Sequence, residues 1–196
     1  MAKLPSYAVR VGDFLLPKPL AGHPALELCN TLAGWDDPPE DRNEWLASYD
    51  HLAVWAEFAG LVDTCPRGAG ADVLAEVRSL RDAAYRLLRH GDATAFRVVA
   101  AYADEANARR RLTRAADGAA GFRLPATADL RLPLHAAALA VADLLDSPAR
   151  TTVRACPGDG CGWLFLDPRG RRVWCSMAAC GNRAKVRAHA ARRRDS

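Results

Sequence analysis

Residues 156–194 read CPGDGCGWLFLDPRGRRVWCSMAACGNRAKVRAHAARRR, and this stretch decides how the chain is read. Cys156 and Cys161 are separated by four residues, Cys175 and Cys180 by four more, and thirteen residues lie between the pairs. Two short knuckles brought together by an intervening hairpin supply the four soft donors that tetrahedral zinc requires. Pro157, Gly158, Gly160 and Gly162 allow the first knuckle to turn tightly, and Gly181 follows the last cysteine. Between the pairs, Trp163-Leu164-Phe165-Leu166 reads as a strand, Asp167-Pro168-Arg169-Gly170 as a turn and Arg172-Val173-Trp174 as a returning strand. Two disulfides or four free thiols are the alternatives. The first 15 residues contain Lys3, Arg10 and Asp13 and so hold no uninterrupted apolar signal core. A cytoplasmic location is therefore expected, and such a compartment disfavours disulfides and favours one zinc ion. Four thiolates leave no open coordination position, which makes that zinc structural.

From Asn182 to Arg194 the chain carries Arg183, Lys185, Arg187, Arg192, Arg193 and Arg194, with His189 among them and no acid. Alanines at 184, 188, 190 and 191 favour a helix, and Ala184, Ala188 and Ala191 recur as a narrow apolar stripe. On a helical wheel Arg183, Arg187 and Arg194 flank the stripe on one side, and Lys185, His189 and Arg192 on the other. Such a helix can dock its stripe on the hairpin and offer cations to a polyanion, whereas a solvated charged tail is the plainer alternative. Arg171, Arg172, Asn182, Arg183, Lys185, Arg187, His189, Arg192 and Arg193 are the residues assigned to nucleic-acid contact. DNA is the expected partner, and RNA stays open because a cationic helix does not by itself choose a groove.

Phe165-Leu166-Asp167, Trp174-Cys175-Ser176-Met177 and Cys180-Gly181-Asn182-Arg183-Ala184-Lys185 together resemble the CGNR zinc finger, a bacterial module regarded as DNA-binding. In that family the finger commonly follows an ABATE domain, regarded as the ligand sensor of stress-responsive transcription regulators. Leu26-Glu27-Leu28-Cys29-Asn30-Thr31-Leu32 is similar to the LDFxNT motif near the start of that domain. One departure is visible: the family's Arg-Arg-Trp-Cys run has Val173 before Trp174 here. The resemblance implies an ABATE-like unit over 1–148 that senses a small ligand, and a finger over 151–196 that binds DNA.

Charge divides along the same line. Positions 151–196 hold ten Lys or Arg against three Asp, while positions 1–150 hold 17 basic and 20 acidic residues, so the net +4 of the 196-residue chain comes from its C-terminal part. Half the residues are apolar, enough for one cored domain plus a small appendage. No apolar run approaches the ~20 residues of a membrane span.

The fold class read from the pattern is α+β: a mostly helical N-terminal domain with a small antiparallel sheet, followed by the four-cysteine hairpin-plus-helix module. Residues 7–16 suit one or two strands, and His23-Pro24 leads into a short helix through Leu26, Leu28, Cys29 and Leu32. Asp41 with Glu44 forms a capping-box pattern ahead of a helix carrying Trp45, Tyr49, Leu52 and Ala56 and stopped by Gly60. A second long helix is expected from Ala71 to His90, closed by Gly91. Asp92 caps a third, with Phe96, Val99, Ala103 and Ala106 inside, ending at Arg109-Arg110-Arg111, a second conceivable phosphate contact or simply a solvated helix end. Residues 122–124 and 129–132 suit two strands that pair with the opening ones, and Pro133 starts a last helix from Leu134 to Leu145.

No phosphate loop, GxSxG or His-Glu-x-x-His is present, and His23, His51, His90 and His135 have no sequence-local acid partner, so catalysis is not expected. An N-terminal enzyme with the finger as a docking module is the remaining alternative. A small-ligand pocket wants aromatic walls and a few amides or hydroxyls, which Asn30, Thr31, Trp35 and Trp55 could supply, although the same residues could equally cap and fill the core. A single finger spans few base pairs, which makes a homodimer attractive.

Overall fold

The computed structural model describes residues 4–114 and 117–194. In chain order its elements are β1 (Ala8–Val11), β2 (Phe14–Pro17), α1 (Pro24–Cys29), β3 (Leu32–Ala33), β4 (Asn43–Glu44), α2 (Tyr49–Phe58), α3 (Ala71–His90), α4 (Ala93–Arg109), β5 (Arg111–Arg114), β6 (Ala120–Arg123), α5 (Leu132–Asp146), β7 (Val153–Ala155), β8 (Leu164–Leu166) and α6 (Asn182–Arg194). The strands form four separate antiparallel ribbons, β1-β2, β3-β4, β5-β6 and β7-β8. The class is α+β, as the sequence implies.

α5 lies at the centre because its sequence, LPLHAAALAVADLLD, is apolar nearly all round. Its alanines allow close approach, and it packs against α1, α2, α3 and α4. α3 buries Val73, Leu74, Val77, Leu80 and Ala84 on one face and ends at Gly91, whose φ of 67° is a left-handed cap that favours glycine. Asp92 caps α4 by accepting from the Thr94 and Ala95 amides at 2.8 and 3.3 Å. α4 turns Ala95 inward in place of Phe96, which is 52% exposed, because the small residue lets it approach its neighbours.

Other expectations are corrected. α1 stops at Cys29, and Leu32 begins β3. The Asp41–Glu44 pattern starts no helix: Asn43 and Glu44 pair with Ala33 and Leu32, and α2 begins after Ser48, which accepts from the His51 amide. The physical reason is Arg81, buried at 3% exposure, whose guanidinium is neutralised by Glu44 at 2.7 Å. β6 pairs with β5 and not with residues 129–132, where Asp129 accepts from the Arg131 amide at 2.9 Å and leads into α5. Among the described residues the opening strands pair only with each other, turning at Gly12.

In the C-terminal part, β8 pairs with β7, which precedes the first cysteine, and the expected strand 172–174 does not form. Arg172 explains this. Its guanidinium lies 4.3 Å from the Phe165 ring centroid and donates to the carbonyls of Trp174, at 3.0 Å, Cys175 and Leu20, so the chain wraps around that side chain instead of laddering.

β8 also joins the two parts of the molecule. Alternation along a strand sends Leu164 into the helical core, while Trp163 and Phe165 pack around the cysteines. Asn30 seals the joint by donating from Nδ2 to the Leu164 carbonyl and accepting the Leu164 amide on Oδ1, both at 2.9 Å. Trp163 Nε1 donates to the Leu32 carbonyl at 2.9 Å, Tyr85 OH to that of Gly162 at 2.9 Å, and the Leu166 amide to that of Ala21 at 2.8 Å. Glu27 holds the receiving loop by accepting the Leu20, Ala21 and Gly22 amides, and burial pushes its carboxyl up to about 7.

Candidate metal centre and nucleic-acid interface

β7 and β8 bring Cys156 and Cys161 to the two ends of a knuckle that serves as the loop of their hairpin. The Cys156 amide bonds the Trp163 carbonyl at 2.8 Å, and the Cys161 amide that of Gly158 at 2.8 Å. Cys175 and Cys180 arrive on the segment that follows, where a turn of π-helix (Met177–Gly181) wraps the fourth cysteine toward the others. All four Sγ atoms lie within 4.8 Å of one another, with Cys161 to Cys175 at 3.7 Å and Cys175 to Cys180 at 3.5 Å. Zinc–sulfur bonds of about 2.3 Å at tetrahedral angles place sulfurs roughly 3.8 Å apart, so the four thiols fit one zinc ion. Cys156, Cys175 and Cys180 are buried, and Cys161 is half-buried. With four sulfurs as ligands and Trp163, Phe165 and Trp174 packed around them, the zinc is structural.

The surroundings favour a thiolate at Cys180. Hydrogen bonds from the thiols of Cys156, Cys161 and Cys175, reinforced by the Arg183 guanidinium donating at 3.0 Å, hold the Cys180 thiol far below its ordinary range. Glycine is needed where backbone meets sulfur: a Cβ on Gly158 would lie 2.9 Å from Cys180 Sγ and 3.4 Å from Cys156 Sγ. Gly158→Ala is therefore expected to displace a ligand and weaken zinc binding about tenfold or more, by the usual cost of disturbing a metal's immediate surroundings. Competition with a chromophoric chelator measures it.

α6 continues from the π-turn without acids in its first turn. Lys185, His189, Arg192 and Arg193 are exposed along it, as are Arg171 in the preceding loop and Asn182 at its start. Ala188 is exposed too, so the alanine stripe does not dock on the hairpin as the sequence suggested. The helix is held at its first turns instead, by Arg183 on the metal centre and by an ion pair of Arg187 with Asp159 of the first knuckle. Arg172 is engaged by its carbonyl partners, and Arg183 is turned toward sulfur. The side chain of Arg194 lies outside the described residues.

A cleft of about 200 Å³ opens beside the metal centre, where Asp37, Asp41 and Asp159 face Arg183 and Cys161. Sequence reasoning missed this acidic wall because its members come from loops far apart in the chain. Asn30, Thr31, Trp35 and Trp55, the ligand candidates of the sequence, are each engaged within the fold. Asn30 clamps Leu164, and Thr31 donates to the Leu28 carbonyl at 2.7 Å. Trp35 stacks on Tyr85 at 3.7 Å and Trp55 fills the core, and the four line neither this cleft nor a second groove. That groove, of about 740 Å³, runs between α5, residues 60–64 and β6, with His23, Asp63, Arg110, Arg123 and Asp143 on its walls.

Comparison with protein families matches residues 22–148 to ABATE, described as "Putative stress-induced transcription regulator", and residues 152–193 to the CGNR zinc finger. Comparison with curated proteins finds no match. The ABATE match spans most of the chain and the zinc centre falls inside the CGNR match, so this chain belongs to the ABATE family of regulators and carries a CGNR zinc finger.

Proposed function

We propose that this chain is a cytoplasmic, DNA-binding transcription regulator whose zinc finger presents α6 to the duplex. One observation carries the reading: a metal-anchored helix exposes Lys185, His189, Arg192 and Arg193 on a module with ten Lys or Arg and three Asp. Rigid display of cations favours phosphate contact, and an Arg or Lys reaching a base edge would read guanine O6 and N7. The groove beside α5 is the better place for a small ligand, since it is roomy and mixes apolar walls with charges of both signs. α5 leads through residues 147–152 directly into β7, which gives such a ligand a short route to the finger.

Titration of zinc-quantified protein against a random-sequence duplex across salt concentrations tests the reading. Four or five phosphate contacts give a log–log slope of about −4. Binding indifferent to salt, or displaced more readily by structured RNA than by duplex DNA, would contradict it. Asp159→Asn frees Arg187 from its acid partner and is expected to tighten binding several-fold with a slope steeper by about one; weaker binding would mean that Asp159 instead positions Arg187.

A further inference from the structure

The β5-β6 ribbon stands apart from the rest of the helical unit in charge and in packing. Residues 109–123 hold five arginines, 109, 110, 111, 114 and 123, and one acid, Asp117. Removing them from the 17 basic and 20 acidic residues of positions 1–150 leaves 12 and 19, so a basic island sits on an acidic domain. All four residues of β5 are exposed, and among the described residues the ribbon pairs with no other strand. A lone two-stranded ribbon is marginal without something to cover it.

The register sharpens the oddity. Arg111 lies directly opposite Arg123, and Leu112 directly opposite Phe122. Like charges facing each other across a ladder are destabilising. Several arginines elsewhere in the unit meet carboxylates, as Arg131 does with Glu76 and Glu105 and Arg81 with Glu44. Arg111 instead reaches only the carbonyls of Ala108 and Arg110, Arg114 that of Gly118, and Arg123 has no ion-pair partner among the described residues. The other face exposes Leu112 at 65% and Phe122 at 59%. Three uncompensated guanidinium groups beside an apolar pair on a two-stranded ribbon have the chemistry of a groove-following arm: cations for the phosphates, and a leucine and an aromatic ring for sugars and base faces.

We propose that the β5-β6 ribbon is a second contact surface for duplex DNA, separate from α6. This rests on the DNA reading above. Charge complementarity selects the occupant, because the Arg111 and Arg123 repulsion is relieved by a polyanion and not by an apolar protein face.

The test uses the full-length, zinc-loaded protein with an Arg111→Ser/Arg123→Ser double variant and a Leu112→Ser/Phe122→Ser double variant, each checked for zinc content and melting temperature. These side chains are exposed, so folding is expected to survive. Against a long random duplex, the arginine variant should lose about tenfold in affinity, its salt slope should shrink by about two, and the length of duplex occluded per protein should fall. The apolar variant should lose affinity with the slope unchanged. Wild-type affinity, slope and occluded length in both variants would overturn the ribbon proposal while leaving α6 as the contact. Absence of binding by the wild-type protein would overturn the DNA reading and the ribbon proposal together. Unchanged DNA binding with a shift of sedimentation from dimer to monomer would assign the ribbon to self-association and overturn it as a DNA arm.

Discussion

Cys175→Ala is expected to strip the protein of zinc and to lower the melting temperature of the whole chain, not of the finger alone. Cys175 is buried, and its carbonyl receives Arg172, whose other Nη2 partner is the Leu20 carbonyl of the helical unit. Losing the metal frees the segment that holds Arg172 against Phe165. It also frees the knuckle whose Cys161 and Gly162 carbonyls bond the Trp35 amide and Tyr85 hydroxyl. Structural zinc contributes on the order of 10 kcal/mol or more to isolated fingers, comparable to the whole stability of an ordinary domain. If about half of that is felt by the helical unit, melting falls by roughly 10–20 °C for a chain of this size. Scanning calorimetry of wild-type and variant protein measures the fall. The near-ultraviolet circular dichroism of the Trp35–Tyr85 stack should weaken with it. An unchanged helical transition beside a lost finger would show that the two units stand independently.

Asn30→Leu should destabilise the protein by about 3–5 kcal/mol although it keeps the branched shape of the side chain. The amide is 1% exposed and satisfies both the N–H and the C=O of Leu164. An apolar replacement strands both backbone groups away from water, at about 1–3 kcal/mol each, and adds a packing mismatch. Urea denaturation should show the midpoint drop by about 1–2 M. Asn30→Asp should cost at least as much, because it keeps the acceptor but sets a carboxylate against the Leu164 carbonyl. A loss under about 1 kcal/mol for Asn30→Leu would mean that water or a backbone shift replaces the clamp.

The metal centre and the long helices were legible because their signals are local. Four cysteines at equal spacing, the alanine-rich basic run of α6, and α3 with its left-handed Gly91 cap each declare themselves within one stretch of chain. The departures arise where a distant partner outbids a local preference. Asp41 and Glu44 have the spacing of a helix start, yet Glu44 is drawn into a strand pair by buried Arg81, 37 residues further on. Residues 172–174 have the composition of a strand, but Arg172 finds carbonyls and an aromatic face that a ladder would deny it. Asn30 lies in a motif whose amide suits a pocket, yet its partner Leu164 lies 134 residues away. No periodicity encodes such a pair. Phe96 misled for a different reason: a large apolar residue and a small one adjoin on the helix, and close packing of α4 chooses Ala95.

The measurement that tests the central claim most directly compares zinc-loaded wild-type protein with a Lys185→Ala/Arg193→Ala variant in a salt-dependent titration of duplex DNA. These side chains lie away from the sulfurs, so the variant should hold one zinc and melt as the wild type does. The account predicts a steep salt dependence for the wild type and a slope smaller by about two for the variant, with affinity lower by an order of magnitude or more. Equal binding by the two proteins, or none by the zinc-loaded wild type, would contradict the claim that the metal-anchored helix is the DNA-binding element.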